Sequence, residues 1–293
     1  LTANSSTGTL FIVATPIGNL GDVSPRALQT LAGVDLIACE DTRTSRTLLV
    51  RYNIGTRTVA LHQHNERAAS AALIETLRAG KNVALITDAG TPGLSDPGAV
   101  LVAAAHSAAV PVVPVPGPSA ATAALSASGF AAGPWLFAGF LPATPTARGK
   151  ALAVLEAQQP IVFFEAPHRI RATIEALAAR FEDDRELVIA RELTKKFEEI
   201  VRLPLREACA WLDADPHRER GEFVLVLGPR KQSENESARA EGERVLDLLL
   251  ESVPSLSARE AAKLAGRITG APRNALYAYA LARTGRAGRP EPD

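Results

Sequence analysis

Apolar positions in the first half of the chain cluster in short runs, separated by longer stretches with one apolar face. The runs at 9–14, 34–39, 57–61, 82–87 and 111–115 read as buried strands. The stretches at 25–32, 43–51, 66–79, 97–108 and 119–128 read as helices. Ser24-Pro25 suits a helix start, with Ser as N-cap and Pro at the first helical position. Such alternation predicts a parallel sheet with helices on its faces.

The pattern breaks at Leu141-Pro142-Ala143-Thr144-Pro145-Thr146. Beyond it come a helix at 147–157, a strand at 160–165, a helix at 168–181 and a strand at 186–191. A second strand at 197–203 follows without a helix between, then a helix at 204–212 and a strand at 222–228. Consecutive strands predict a mixed sheet. Gly228 to Ser233 is a polar linker, and the remainder is helical: 236–252, then a capping box at Ser257-Ala258-Arg259-Glu260 opening a helix to about 267, a turn at Thr269-Gly270-Ala271-Pro272, and a helix at 273–283. The expected organisation is α/β, with a parallel domain over 1–139, a mixed-sheet domain over 140–229, and a helix-turn-helix-like module over 230–293.

Composition changes this picture little. The 293 residues are 46% hydrophobic and 22% charged, which is globular. Lys+Arg and Asp+Glu are both 32, so net charge selects no partner. The distribution is more telling. Glu234, Glu236, Glu241, Glu243, Asp247 and Glu251 precede a stretch from Arg259 to Arg289 in which Glu260 is the sole acid. That sign switch suits an anion-binding tail or a solvated helical face. Cys39 and Cys209 are isolated, which reads as reduced core residues in a cytosolic protein. The polar start, Leu1 to Gly8, reads as neither signal nor transit peptide, and no apolar run reaches ~18 residues.

Candidate chemistry gathers where strands end. The first strand runs into Thr15-Pro16-Ile17-Gly18-Asn19, the fourth into Thr87-Asp88-Ala89-Gly90-Thr91-Pro92-Gly93, and the fifth into Pro116-Gly117-Pro118-Ser119-Ala120. Glycine-rich turns at strand ends let a ligand lie against main-chain amides, and open α/β sheets bind ligands at that end. No G-x-G-x-x-G or Walker A loop is present. Glu40-Asp41-Thr42-Arg43 either faces this cleft or supplies acids to a helix N-terminus. His62 and His64 share one side of a strand, yet no third ligand is near in sequence, so polar contact is expected rather than metal. Glu165, His168 and Arg169 group at another strand end, with an imidazole for proton transfer and a guanidinium for phosphate. Arg191 to Glu198 is a charge-dense turn that suits a polyanion or a solvated hairpin. On the last helix, Arg273, Asn274, Tyr277 and Tyr279 combine phosphate-binding and base-stacking side chains, although plain helical packing explains them equally.

In order, the segments V-A-T-P-I-G-N-L-G-D (13–22), C-E-D-T-R (39–43), H-N-E (64–66), T-D-A-G-T-P-G-L-S-D-P-G (87–98) and P-V-P-G-P-S-A (114–120) resemble the tetrapyrrole-methylase superfamily. So do G-F-L-P (139–142), F-E-A-P-H-R (164–169), R-E-L-T-K (191–195) and G-E-F (221–223). With R-N-A-L-Y (273–277), the set is similar to the bacterial 16S rRNA (cytidine-2'-O)-methyltransferases of that superfamily. The resemblance implies S-adenosylmethionine (SAM) as donor, a homodimer, the small ribosomal subunit as partner, and a cytidine of its decoding centre as target. By matching position it implies donor contacts at Pro16, Asp88, Ala89, Gly90, Gly93, Leu94, Ser119, Ala120 and Phe140, with Arg191 and Gly221 as weaker transfers. In that chemistry a ribose 2'-oxygen attacks the sulfonium methyl in line. Glu165 and His168 are the candidates for removing its proton, and Lys195 for stabilising the developing alkoxide. Arg43, Arg169, Lys263, Arg273 and Asn274 are the expected RNA contacts. The alternatives are a methylase of the same fold acting on a tetrapyrrole-type small molecule, against which the basic tail argues, and a non-catalytic nucleic-acid-binding protein, against which the three Pro/Gly loops argue.

Overall fold

The computed structural model describes residues 7–130, 133–155, 158–181, 185–230, 234–253 and 255–283. The chain divides into two compact units, Leu1–Pro229 and Arg230–Asp293.

In the first unit, strand and helix alternate as β1 (Leu10–Val13), α1 (Pro25–Gly33), β2 (Leu36–Cys39), α2 (Thr42–Arg51), β3 (Thr58–Ala60), α3 (Glu66–Arg78), β4 (Val83–Ile86), α4 (Ala99–Ser107), β5 (Val112–Val115) and α5 (Ala120–Ala127). The strands form a parallel sheet in the order β3-β2-β4-β1-β5. Central β4 is buried along its whole length, which is why its four residues are all apolar. Pro114 is tolerated in β5 because that strand lies at the sheet edge. Ser24 accepts the Ala27 N–H at 3.0 Å and starts α1 as expected.

The same unit continues with β6 (Leu136–Phe140), α6 (Pro145–Ala153), β7 (Ile161–Glu165), α7 (Ile170–Arg180), β8 (Glu186–Arg191), β9 (Glu199–Pro204), α8 (Ala208–Asp213) and β10 (Phe223–Leu227). These strands make a mixed sheet, β6-β7-β10-β8-β9, parallel only between β6 and β7. The sequence pattern did not predict β6. Gly139, at φ +62°, and a register shift between Phe137 and Gly139 interrupt its alternation. Because β6 belongs to the second sheet, the change from one sheet to the other precedes residue 136 and is not at the expected 139/140 border.

Both faces of the second sheet are largely apolar, and helices cover most of one and part of the other. One packs on α7 and α8 through residues such as Phe163, Ile174, Leu187 and Leu212. The other, with Val162, Val188, Ala190 and Val224, packs against Ala121 and Ala124 of α5 and against Ile17. A helix that follows a strand of the first sheet thus covers the second, which brings the loops of the two sheets together. Arg202 fastens the connection after α5: it donates to the carbonyls of Ser128 (3.2 Å) and Gly129 (3.0 Å) and lies 4.5 Å over the Phe130 ring.

The second unit holds α9 (Glu234–Ser252), α10 (Ala258–Thr269) and α11 (Arg273–Arg283). Leu246, Ala261, Ala265, Leu276 and Ala280 form its core. The expected capping box is complete, Ser257 and Glu260 each bonding the other's main chain, and Gly270 ends α10 at φ +76°. Among the described residues, no helix is long and apolar enough to cross a membrane.

Candidate active site between the two sheets

Two loops of the first sheet are clasped. Thr15 N–H donates to the Gly90 carbonyl at 2.9 Å, and Gly90 N–H returns a bond to the Thr15 carbonyl at 3.1 Å. The Thr15 hydroxyl adds a bond to the Thr87 carbonyl at 3.1 Å, and the Thr91 hydroxyl reaches the Pro118 carbonyl at 3.0 Å. Gly90 has φ +81°, and a Cβ there would lie 3.3 Å from Ile17 Cγ2. All three glycine- and proline-rich strand ends therefore meet.

The H-N-E segment proves to be scaffolding for this loop. Asn65 Oδ1 accepts the His62 N–H at 2.8 Å, and Glu66 Oε1 accepts the N–H groups of Gly98 (2.7 Å) and Val100 (3.1 Å) at the start of α4. Glu66 also stands in the first turn of α3, so one carboxylate faces two helix N-termini. His62 and His64 lie with ring centroids 6.0 Å apart, and among the described residues no group of three His, Cys, Asp or Glu is placed to hold a metal.

A cavity of about 380 Å³ opens where the clasped loops face the second sheet. Of the expected donor contacts, Ala89, Gly90, Leu94, Ser119, Ala120 and Phe140 are in its wall. Pro16, Asp88, Gly93, Arg191 and Gly221 are not. Asp88 is exposed and accepts the Asp41 N–H at 3.2 Å. Arg191 is turned away to the carbonyls of Arg220 (2.6 Å) and Phe197 (3.3 Å), where it ties β8 to the next loops. Gly221, at φ +94°, leaves room for the Glu192 side chain, 2.4 Å from where its Cβ would be. The unexpected lining comes largely from the second sheet: Phe164, Ala190, Phe223 and Val224. Its signal in the sequence was strands apolar on both faces, one of which had to look toward the cleft. Asp96, Glu165 and Glu222 are the carboxylate residues in the wall, and Ala166 and Pro167 line it beside Glu165.

The charged groups divide into fixed and perturbed. Lys195 Nζ sits between Glu222 (2.8 Å) and Glu192 (2.9 Å). Burial works to lower its pKa, but the hydrogen bonds to Glu222 and Glu192 outweigh it and raise it, so it remains an ammonium. Burial pushes the Asp96 carboxyl above the ordinary aspartate range, with a hydrogen bond to Thr87 opposing and the charge of Asp88 adding. Glu40 is raised likewise, by burial first and then by Asp96 and Asp88.

The strand end after β7 departs from expectation. Glu165 has no exposed side-chain surface; it accepts from the Thr173 hydroxyl at 2.5 Å and the Ala166 N–H at 2.9 Å, and pairs with Arg169 at 3.1 Å. Arg169 also donates to the Leu141 carbonyl. Glu165 thus borders the cavity, but its carboxylate is already bonded to Thr173, Ala166 and Arg169, and the Arg169 guanidinium is taken up by Glu165 and Leu141. His168 is exposed, lies outside the cavity wall, and makes no hydrogen bond among the described residues. Arg43 is exposed, with its guanidinium on Asp41 at 2.9 Å. In the second unit, Lys263, Arg273, Asn274 and Tyr277 are exposed on α10 and α11, whereas Tyr279 donates to Asp247 at 3.1 Å and is part of the packing.

A family model described as Tetrapyrrole (Corrin/Porphyrin) Methylases matches residues 9–209, and another, the RsmI C-terminal HTH domain, matches 236–284. The chain is similar to the Ribosomal RNA small subunit methyltransferase I of Pseudomonas aeruginosa, 48% identical over 283 residues that cover 96% of this chain and 99% of that protein. The protein of the same name in Escherichia coli O157:H7 is 44% identical, covering 97% and 98%. Among solved structures, a diphthine synthase is similar with a TM-score of 0.58 and 18% identity, covering 77% of this chain and 92% of that one. A Thermus thermophilus uroporphyrin-III C-methyltransferase complexed with S-adenosyl homocysteine gives 0.54 and 17%, covering 75% and 97%. These last two likenesses show the fold.

Proposed function

Because the chain belongs to the tetrapyrrole methylase family, and within it to the ribosomal RNA small subunit methyltransferase I family, we propose that it transfers the methyl group of SAM to the 2'-oxygen of a cytidine in the decoding centre of 16S rRNA. The observation that carries the donor reading is the cavity's wall: small residues at three clasped strand ends, facing apolar strands. Two features of it fit SAM. Gly90 leaves space that a Cβ would fill toward Ile17, and the Ser119 hydroxyl is buried without a partner among the described residues. Ala89, Gly90, Leu94, Ser119, Ala120 and Phe140 hold the donor in this reading, with Asp96 available for its polar groups. When bound, SAM supplies an electrophilic methyl carbon on a sulfonium.

The chain's own task is alignment and charge. The main-chain walls fix the donor, which leaves the attacking oxygen to be oriented from the open side. Lys195 is not itself in the cavity wall, but it is held as an ammonium by Glu222, which is, and in this reading it offers a fixed positive charge to an oxygen as it becomes negative. Glu165 and Glu222 both line the cavity and both are ion-paired, but only Glu222 is exposed, with one oxygen on Lys195 and the other open to accept the 2'-proton. RNA is held by the exposed cations Lys263 and Arg273, with Asn274 and Tyr277 beside them, as well as by Arg43. The active form is a homodimer in this reading, which sedimentation of the full chain checks.

Incubation with SAM and small ribosomal subunits that lack the modification tests the whole reading. A single methylated ribose, mapped to a decoding-centre cytidine, is the expected product. Methylation on a base, or of a porphyrin in preference to the subunit, overturns it.

A further inference from the structure

Arg148 is 5% exposed, and its guanidinium makes no ion pair or hydrogen bond among the described residues; Nε is fully shielded and unpartnered. A buried cation without a counter-ion is costly and calls for an anion. Its surroundings supply the rest of a cradle. Arg148 is the fourth residue of the nine-residue α6, and helical side chains lean back over the residues three and four before them, here Pro145 and Thr144. That turn has no side-chain cap and no acid. The N–H groups of Thr146 and Ala147 have no partner in the described structure, and Thr144 and Thr146 are exposed. A helix N-terminus with two free amides and the exposed Thr144 hydroxyl, with a buried guanidinium one turn behind, thus offers partners to an anion, and the described first turn supplies no acid.

We infer that the first turn of α6, with Arg148 behind it, binds a phosphodiester of the RNA strand. The inference rests on the reading of the chain as an enzyme acting on RNA, and it adds a contact that the motif pattern did not indicate. Pro145 follows Phe140 of the cavity wall by five residues, so the turn is at most about 17 Å along the chain from the donor. A phosphate held there belongs to the target nucleotide's own neighbourhood, whereas Lys263 and Arg273 hold RNA from another unit. The anion is bound by main-chain amides and a fork-shaped cation, so the contact positions the strand and reads no base.

Thr144→Asp separates this role from a structural one. An N-cap aspartate accepts from the Thr146 and Ala147 amides and stabilises α6, yet it occupies the cradle and repels phosphate. In the full chain, T144D is expected to melt at the wild-type temperature or above and to bind SAM normally. It is expected to bind unmodified small ribosomal subunits on the order of tenfold more weakly, with the slope of log affinity against log salt shallower by about 0.7 to 0.9. Arg148→Met should show the same loss, and Arg148→Lys part of it. Replacing chloride by inorganic phosphate at equal ionic strength should weaken wild-type binding more than T144D binding. If T144D and Arg148→Met bind subunits as wild type does, with the same salt slope, the subsite is overturned while the proposed activity stands. If phosphate protects the wild type against melting but neither variant changes subunit binding, the cradle takes free anions only, and the RNA assignment falls. If wild-type protein fails to bind subunits at all, the reading of the enzyme fails first.

Discussion

Glu165 shows how residue-scale chemistry is decided by neighbours that are distant in sequence. A carboxylate, an imidazole and a guanidinium within five residues invited a catalytic reading. Thr173, eight residues on, and Arg169 instead close on Glu165 and seal it. Glu165→Ala should therefore cost about 3 kcal/mol or more in urea unfolding, because it leaves Arg169 without its partner; a loss within ~0.5 kcal/mol would mark Glu165 as a surface group after all. Asp96 is the opposite case, a group whose pKa is raised mainly by burial. Between the ordinary aspartate pKa and the raised one, the folded chain holds more protons than the unfolded chain, so stability falls as pH rises through that window. Asp96→Asn should raise the melting temperature at pH 7, and the gain should vanish below the ordinary aspartate range, about pH 3.9. A gain independent of pH would mean that the charge is not what burial penalises.

At the scale of elements, most strands and helices were legible because period and punctuation agree: β4 is apolar throughout, and Ser24, Ser257 and Gly270 mark helix ends with side chains suited to them. β6 was not legible, since its glycine at positive φ and its register shift belong to a strand that only tertiary pairing with β7 rescues. Half of the cavity was hidden for a related reason. Phe164 and Val224 look like ordinary core until α5 is seen to cover only part of their face. Asn65 and Glu66 of the H-N-E segment act as an element-scale strap. Glu66→Ala should cost about 1 kcal/mol as a lost cap and also loosen the loop from Thr87 to Gly98, so that SAM affinity drops in calorimetric titration. Glu66→Gln, which keeps an acceptor, should lose less of both. Equal SAM affinity in Glu66→Ala would disconnect the strap from the site.

For the whole molecule, the sign switch at Arg259 and the linker near Gly228 marked the second unit, and its core of small residues and Leu246 and Leu276 is its own. What the sequence could not show is that the first two predicted domains share one unit through α5 and Arg202. Residues 1–229 alone should therefore fold and bind SAM like the full chain, while affinity for small ribosomal subunits falls and depends less steeply on salt. A fragment that binds subunits undiminished would remove the helical unit from the RNA interface.

The reciprocal pair between Thr15 and Gly90 has a kinetic meaning. Each amide is shielded only while the two loops stay joined, so their exchange with deuterium reports the opening of that one junction rather than global unfolding. If a bound donor spans both loops, saturating SAM should slow exchange at Gly90 far more than at Leu85 of the sheet interior, whose exchange already requires the whole unit to unfold. The ratio of the two rates, with and without donor, then measures how often the junction parts and how far a bound donor holds it shut.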